Sequence, residues 1–215
     1  VLPPLSAASF QKQTGVSRET LARLEAYVEL LCAWNRRINL VGPRTIGDIW
    51  RRHILDSAQL FPLIPAKTRI LLDVGSGAGL PGLVLAILGA KEVHLVEADQ
   101  RKCAFLREAA RITAAPVQIH AQRLEKCPKF AADVVTARAF APLAALLDQV
   151  CQFIEPHSIL LFLKGKTVGE ELTEARKGWN MRATLHPSAS DPSGTVLRLE
   201  QVIRAEHDGG TARRP

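Results

Sequence analysis

The chain has 215 residues, 47% of them hydrophobic and 23% charged, enough to bury one sizeable core with at most a small appendage. No apolar run approaches the roughly 18 residues of a membrane span, and Val1-Leu2-Pro3-Pro4-Leu5 lacks the charged start and long apolar stretch of an export signal. Lysine and arginine outnumber aspartate and glutamate by 28 to 21, and this excess draws the protein toward polyanions, nucleic acid foremost.

In chain order, the first 66 residues read as a helical front end. Leu21, Leu24, Val28, Leu31 and Ile38 form a stripe of helical period behind Ser17, a suitable N-cap, and Gly42-Pro43 ends the run. A second helix is expected over residues 45–63, with Pro62 and Pro65 marking a linker. From residue 67 to 205 short strands alternate with helices. Strands are expected at 70–74, 93–96, 117–120, 133–136 and 159–163, and helices at 81–88, 100–112, 143–153 and 168–177. The two last strands, 181–185 and 196–203, have no helix between them and read as an antiparallel hairpin at the sheet edge. The whole predicts an α/β fold with a mostly parallel sheet of seven strands covered on both faces. Residues 206–215 read as a flexible polar tail. Cys32, Cys103, Cys127 and Cys151 are far apart, with no C-x-x-C and no histidine at ligand spacing. They read as free thiols of a reducing compartment, the cytoplasm, and no metal site is expected.

The segment from Leu71 to Gly82 carries the chemistry. An apolar strand ending Asp73-Val74 turns into Gly75-Ser76-Gly77-Ala78-Gly79-Leu80-Pro81-Gly82, and Pro81 suits a first helical turn. In an open α/β sheet this is where a nucleotide sits. The spacing of Gly77, Gly79 and Gly82 matches a dinucleotide fingerprint, so a nicotinamide or flavin cofactor is one reading. The other is S-adenosyl-L-methionine. Asp73 favours the second, because a carboxylate repels a pyrophosphate and attracts an ammonium or sulfonium. Glu97, twenty residues after Gly77, can accept from both ribose hydroxyls in either case.

The strand-end motif resembles the first motif of class I methyltransferases. Taken with Trp34-Asn35-Arg36-Arg37-Ile38-Asn39-Leu40, Arg52-His53-Ile54-Leu55-Asp56-Ser57, Thr136-Ala137-Arg138-Ala139-Phe140 and Leu163-Lys164-Gly165, the chain resembles the glucose-inhibited division protein B family of bacterial small-subunit rRNA guanine-N7 methyltransferases. The resemblance runs from about residue 20 to 203. It implies a Rossmann-like S-adenosylmethionine-dependent fold with N-terminal helices, acting on one guanine in the 530-loop region of 16S rRNA, free or in a 30S particle. It also implies that Asp73, Gly75, Gly77, Gly79 and Leu80 form the cofactor loop, that Glu97 holds the ribose, and that Leu124 and Glu125 meet the adenine. Arg138 is expected to border cofactor and target base in a monomeric enzyme. Ser76 and Ala78 stand where other members vary, a small departure.

A ring nitrogen with a free lone pair needs positioning rather than a general base. Accordingly, the position after the fourth strand lacks the Asn/Asp-Pro-Pro-aromatic clamp of exocyclic-amine enzymes, and Cys127 is badly placed to act as the nucleophile of carbon-5 enzymes. A methyltransferase of another RNA or of a small molecule would look the same. Arg36, Arg37, Arg44 and Arg52, with Lys164 at the end of the fifth strand, are the expected RNA contacts. Phe140 is a possible stacking ring or a core residue. His53 and Asp56, three apart on one helical face, read equally as a pair locking the helix to the core or as substrate contacts. Against an oxidoreductase stands the absence of a Tyr-x-x-x-Lys motif, since the one tyrosine, Tyr27, falls in the front end outside the nucleotide-binding core. Against an RNA-binding protein without activity stands the intact loop from Gly75 to Gly82.

Overall fold

The computed structural model describes residues 3–138 and 140–205; Val1, Leu2, Ala139 and the expected tail at 206–215 lie outside the described residues. Two helices open the chain, α1 (Ala7–Thr14) and α2 (Arg18–Asn35), and the Ser17 hydroxyl caps α2 by accepting from the Thr20 amide. The alternation that follows is β1 (Ile70–Val74), α4 (Gly82–Leu88), β2 (Glu92–Val96), α5 (Gln100–Thr113), β3 (Val117–His120), β4 (Val134–Arg138), α6 (Leu143–Val150), β5 (Ile159–Lys164), α7 (Val168–Ala175), β6 (Trp179–Pro187) and β7 (Thr195–Arg204), with a short α3 (Asp56–Ala58) before it. Among the described residues no helix is long and apolar enough to cross a membrane.

The seven strands lie in the order β3-β2-β1-β4-β5-β7-β6. The first five are parallel, and β7 runs antiparallel to both β5 and β6, as the missing helix between the last two strands required. The chain therefore reverses its direction of travel across the sheet between β1 and β4. The strand period of two sends Leu71 to one face and Leu72 and Val74 to the other, so each face has its own apolar layer. One layer packs under α2, α4 and α5, the other under α6 and α7.

The front end is not a separate lobe. Phe10, Leu24, Tyr27, Leu31, Ile54 and Leu60 are buried in the same cluster as Leu71, Leu83, Val93 and Phe105. Arg23 adds a polar tie: its guanidinium donates to the carbonyls of Thr113, Ala114 and Ile87, at the ends of α5 and α4 where carbonyls lack helical partners.

The single helix expected over 45–63 is instead four short pieces. A 3-10 turn (Pro43–Asp48), a π-helical turn (Trp50–Leu55), α3 and a second 3-10 turn (Phe61–Leu63) follow one another. His53 in the π-helical turn and Asp56 at the start of α3 both face Arg138 on β4, an arrangement apolar periodicity does not register. The fourth strand also runs two residues beyond its expected end, so Arg138 closes β4 rather than following it.

Candidate active site at the carboxyl ends of the strands

The glycine loop follows β1 at the reversal point. Gly75, Gly77 and Gly79 all have positive φ (66°, 56° and 87°), which lets the chain turn twice within five residues, and the amides of Ser76, Gly77, Gly79 and Leu80 are taken up by Val96, Glu97 and Ser76. At Gly75 the backbone also lies against the Phe140 ring, where a Cβ would come within 2.2 Å of Cδ2. The loop is braced from beneath: the buried Tyr27 hydroxyl donates to the Ala78 carbonyl at 2.6 Å. Tyr27, expected outside the nucleotide-binding core, is thus part of the loop's support, and burial holds its hydroxyl protonated well above the ordinary phenol range.

Glu97 follows β2 and ties two turns together. One carboxylate oxygen accepts from the Gly77 amide at 2.9 Å and the other from the Asp99 amide at 2.8 Å. A carboxylate has about four lone-pair directions, so each oxygen keeps one for a ligand. Glu97 lines a cavity of about 500 Å³ together with Gly75, Val96, Leu124, Glu125 and Phe140. Leu124 and Glu125 open the short turn after β3 and supply an apolar wall and a polar rim. Of the residues expected at the cofactor, Gly75, Glu97, Leu124 and Glu125 line this cavity, and Gly77, Gly79 and Arg138 do not.

Asp73 sits differently from its expected place. It is fully buried, outside the cavity, on the face of β1 that meets α4, and its Oδ1 accepts from the Thr136 hydroxyl at 2.7 Å. Oδ2 has no hydrogen-bond partner among the described residues. Burial pushes the carboxyl up to about 6 against the hydrogen bonds that favour the charged form. Gly82 makes this packing possible, since a Cβ there would meet the Asp73 side chain at 2.5 Å. Leu80 is likewise buried inside the loop rather than exposed to the cavity.

Arg138 closes β4 beside the loop. It donates to His53 Nδ1 at 2.9 Å, and Asp56 Oδ2 lies 3.6 Å from the same nitrogen. Because a guanidinium only donates, the His53 proton is on Nε2, which faces the Thr45 hydroxyl at 2.7 Å; that hydroxyl donates in turn to the Gly42 carbonyl. Burial and the positive charges of Arg138 and Arg52 bring the His53 pKa down to about 3, so the ring is a neutral acceptor. His53 and Asp56 do not pair with each other; both hold Arg138.

Beyond Arg138 lies a second, smaller cavity of about 140 Å³, walled by Arg52, Asp56, Lys164 and the loop between β6 and β7. That loop is docked on the front end. Asp191 accepts from Arg52 at 2.7 Å, the Ser190 hydroxyl donates to Asp56, and Gln59 bonds both Ser188 and the Ala189 amide. Backbone and side-chain donors from Ser193, with Arg52, hold the Asp191 carboxyl down at about 2. Sequence reasoning missed Ser190, Asp191 and Thr45. A polar stretch between two strands announces a loop, but not where it docks.

The expected RNA contacts divide. Arg36, Arg37 and Arg44 are exposed and form no ion pair among the described residues. Arg36 and Arg37 line a groove with Trp34 and Arg101 and touch neither cavity of the site. Arg52 is engaged with Asp191 at the wall of the smaller cavity. Lys164 corrects its expectation: its ammonium is bound to Glu171 at 2.8 Å and to the Ala141 carbonyl at 3.0 Å, so it secures the end of β5 to α7 instead of standing free for phosphate. Among the described residues no three metal-ligating side chains converge.

The residues around the larger cavity fit an adenosyl group: two acceptor positions on Glu97, an apolar wall at Leu124 and Val96, and a polar rim at Glu125. Comparison with known proteins agrees. Solved structures sharing the fold include a SAM-dependent methyltransferase from Aquifex aeolicus (TM-score 0.56, 16% identity, 73% of this chain and 95% of that one) and a TehB-like SAM-dependent methyltransferase from Corynebacterium glutamicum (TM-score 0.54, 14% identity, 84% and 98%). The "Ribosomal RNA small subunit methyltransferase G" of Rhodospirillum centenum is 56% identical over 93% of both chains, and that of Rhodospirillum rubrum is 56% identical over 94% of this chain and 100% of its own. The model of the GidB family, rRNA small subunit methyltransferase G, matches residues 20–192. With the loop, the acid at the end of β2 and the order of the strands already in agreement, the chain belongs to the rRNA small subunit methyltransferase G family and is an S-adenosylmethionine-dependent methyltransferase.

Proposed function

We propose that the enzyme methylates N7 of one guanine in the 530-loop region of 16S rRNA, with the methyl donor in the larger cavity and the guanine in the smaller one. The observation that carries this reading is the pair of cavities at the strand ends, one lined by Glu97 and Gly75, the other by Arg138 with further charged and hydroxyl groups.

When bound, S-adenosyl-L-methionine supplies a methyl on a sulfonium sulfur; the guanine N7 lone pair forms the new bond, the pair of the broken bond stays on sulfur, and no proton is lost. Glu97 accepts from the ribose hydroxyls while its bonds to the Gly77 and Asp99 amides keep it from turning. Leu124 and Val96 pack on the adenine, and Glu125 sits at its edge. Asp73 would act at one remove, its buried carboxylate behind the loop, with Oδ2 unpaired, favouring a cationic group bound above. Arg138 offers donors to the guanine O6, held in place by neutral His53 and by Asp56. Exposed Arg36, Arg37 and Arg44 neutralise phosphates of the surrounding RNA. Since no base is needed, orientation supplies the rate, up to roughly 7–11 kcal/mol in well-aligned systems.

The test is direct. 16S rRNA from cells lacking the gene, incubated as 30S particles with the purified protein and labelled donor, should gain one methyl at N7, detected by reductive strand cleavage at 7-methylguanine. Glu97→Ala should weaken donor binding by calorimetry about tenfold or more while the protein stays folded. A methyl on another atom, or unchanged donor affinity, overturns the corresponding half of the proposal.

A further inference from the structure

We infer that Asp56 determines specificity for the acceptor base, its carboxylate accepting from N1–H and the 2-amino group of the target guanine while Arg138 beside it donates to O6. The inference rests on the reading of the acceptor as a guanine methylated at N7.

Asp56 lines the smaller cavity. Its Oδ1 is fixed by the Ser190 hydroxyl and by Gln59 Nε2 at 3.0 Å. Its Oδ2 has an ion-pair partner, Arg138 Nη1 at 3.6 Å, but no hydrogen-bond donor among the described residues. The carboxylate is therefore anchored through one oxygen and has acceptor capacity left on the other. The second acid in the cavity is not comparably available. Asp191 has Oδ2 on Arg52 and Oδ1 on both the amide and the hydroxyl of Ser193.

Of the four RNA bases only guanine places two donors side by side, N1–H and the 2-amino group. Adenine and cytosine set an acceptor next to their donor, and uracil flanks its single donor with acceptors. An acceptor-only carboxylate is complementary to guanine and to none of the others. Order along the site matches order around the base. Asp56 and Arg138 share the smaller cavity, and Arg138, on β4, stands on its side nearer β1 and β2, whose ends carry the donor cavity. N1 with the 2-amino group, O6, and N7 follow one another around the purine. A guanine whose Watson–Crick edge meets Asp56 and whose O6 meets Arg138 turns N7 toward the donor.

The contact also grows during the reaction. As N7 takes the methyl, the ring goes from neutral to cationic and N1–H becomes a stronger donor. A carboxylate accepting that hydrogen holds the transition state more tightly than the bound substrate, which is the condition for raising the rate.

The experiment pairs a base change with a side-chain change. 30S subunits are reconstituted with rRNA carrying guanosine or inosine at the methylated position; inosine lacks only the 2-amino group. The wild-type enzyme should prefer guanosine by about tenfold or more in kcat/KM. Asp56→Asn should lower activity on guanosine and bring the guanosine-to-inosine ratio close to one. If the ratio persists in Asp56→Asn while activity falls, or if the wild type does not discriminate, Asp56 acts only by holding Arg138 and the inference is overturned. Donor affinity, measured by calorimetry, reports whether the variant is folded. Should Asp56→Asn fail that check, Ser190→Ala frees Oδ1 from one donor and takes its place: a reduced ratio supports the inference and an unchanged ratio overturns it. A methyl mapped to an atom other than N7 overturns the acceptor reading itself, an outcome visible on guanosine alone.

Discussion

Burial favours the neutral form of both Asp73 and His53, and because one is an acid and the other a base their effects on stability oppose each other. The folded pKa of Asp73, about 6, lies above its ordinary 3.8, so the folded state binds its proton more tightly than the unfolded chain and gains stability as pH falls through 6. The folded pKa of His53, about 3, lies below its ordinary 6.5, so the unfolded chain takes the proton first and stability is lost as pH falls below 6.5. Each amounts to a few kcal/mol on the order of 1.4 per unit, and between about pH 6 and 4 the two largely cancel. Asp73→Asn removes one side of the balance. Urea midpoints at pH 7 and pH 4.5 should then show the variant losing stability on acidification more steeply than the parent; parallel pH profiles would refute the assignment. At this scale the sequence revealed residues that end strands at the sheet's carboxyl edge. Glu97 and Arg138 were legible because each falls at the carboxyl end of a strand that run length marks, whereas Leu124 and Glu125, in a turn beyond β3, came only from the family resemblance. Lys164 was misread for the complementary reason, as its partner Glu171 is brought to it only by the turn into α7.

Among the elements, α2 carries a role its amphipathic pattern does not reveal. The same helix that buries Leu24 and Leu31 against the sheet layer also sets the Tyr27 hydroxyl under the glycine loop. Tyr27→Phe leaves the ring packing intact and strips the buried Ala78 carbonyl of its donor, a loss of about 1–3 kcal/mol. The loop should loosen, so the variant is expected to melt lower and to bind the methyl donor several-fold more weakly by calorimetry; an unchanged donor affinity would show that the loop holds its shape alone. The alternating strands and helices were readable from run length, and the closing hairpin from the missing helix. The front end was readable only as helical. Its π-helical turn and the start of α3 meet Arg138 through His53 and Asp56, and a contact with a residue about eighty positions away leaves no periodic mark.

For the molecule as a whole, the excess of positive charge resolves into two kinds. Arg23, Arg52 and Lys164 are fasteners already engaged with carbonyls or carboxylates, whereas Arg36, Arg37 and Arg44 stand exposed on the front end without an ion pair among the described residues. The second kind can displace counterions from RNA without first giving up a partner. Replacing Arg36 and Arg37 together by alanine should flatten the plot of log affinity against log salt by about 0.7–0.9 per lost phosphate contact, measured by filter binding across a salt series. An unaltered slope would remove this face from the interface. Net charge alone could not make the distinction, since a bound and a free arginine count equally in it.

The docking of the loop from Ser188 to Asp191 onto Arg52, Asp56 and Gln59 joins the first third of the chain to its last. A nascent chain that has emerged through β5 already has the glycine loop and Glu97, but the wall of the acceptor cavity arrives only with the final hairpin. The same hairpin buries Trp179, Leu197 and Leu199 in the layer under α6 and α7, so the last part of the chain to be made completes the core and the wall of the acceptor cavity together.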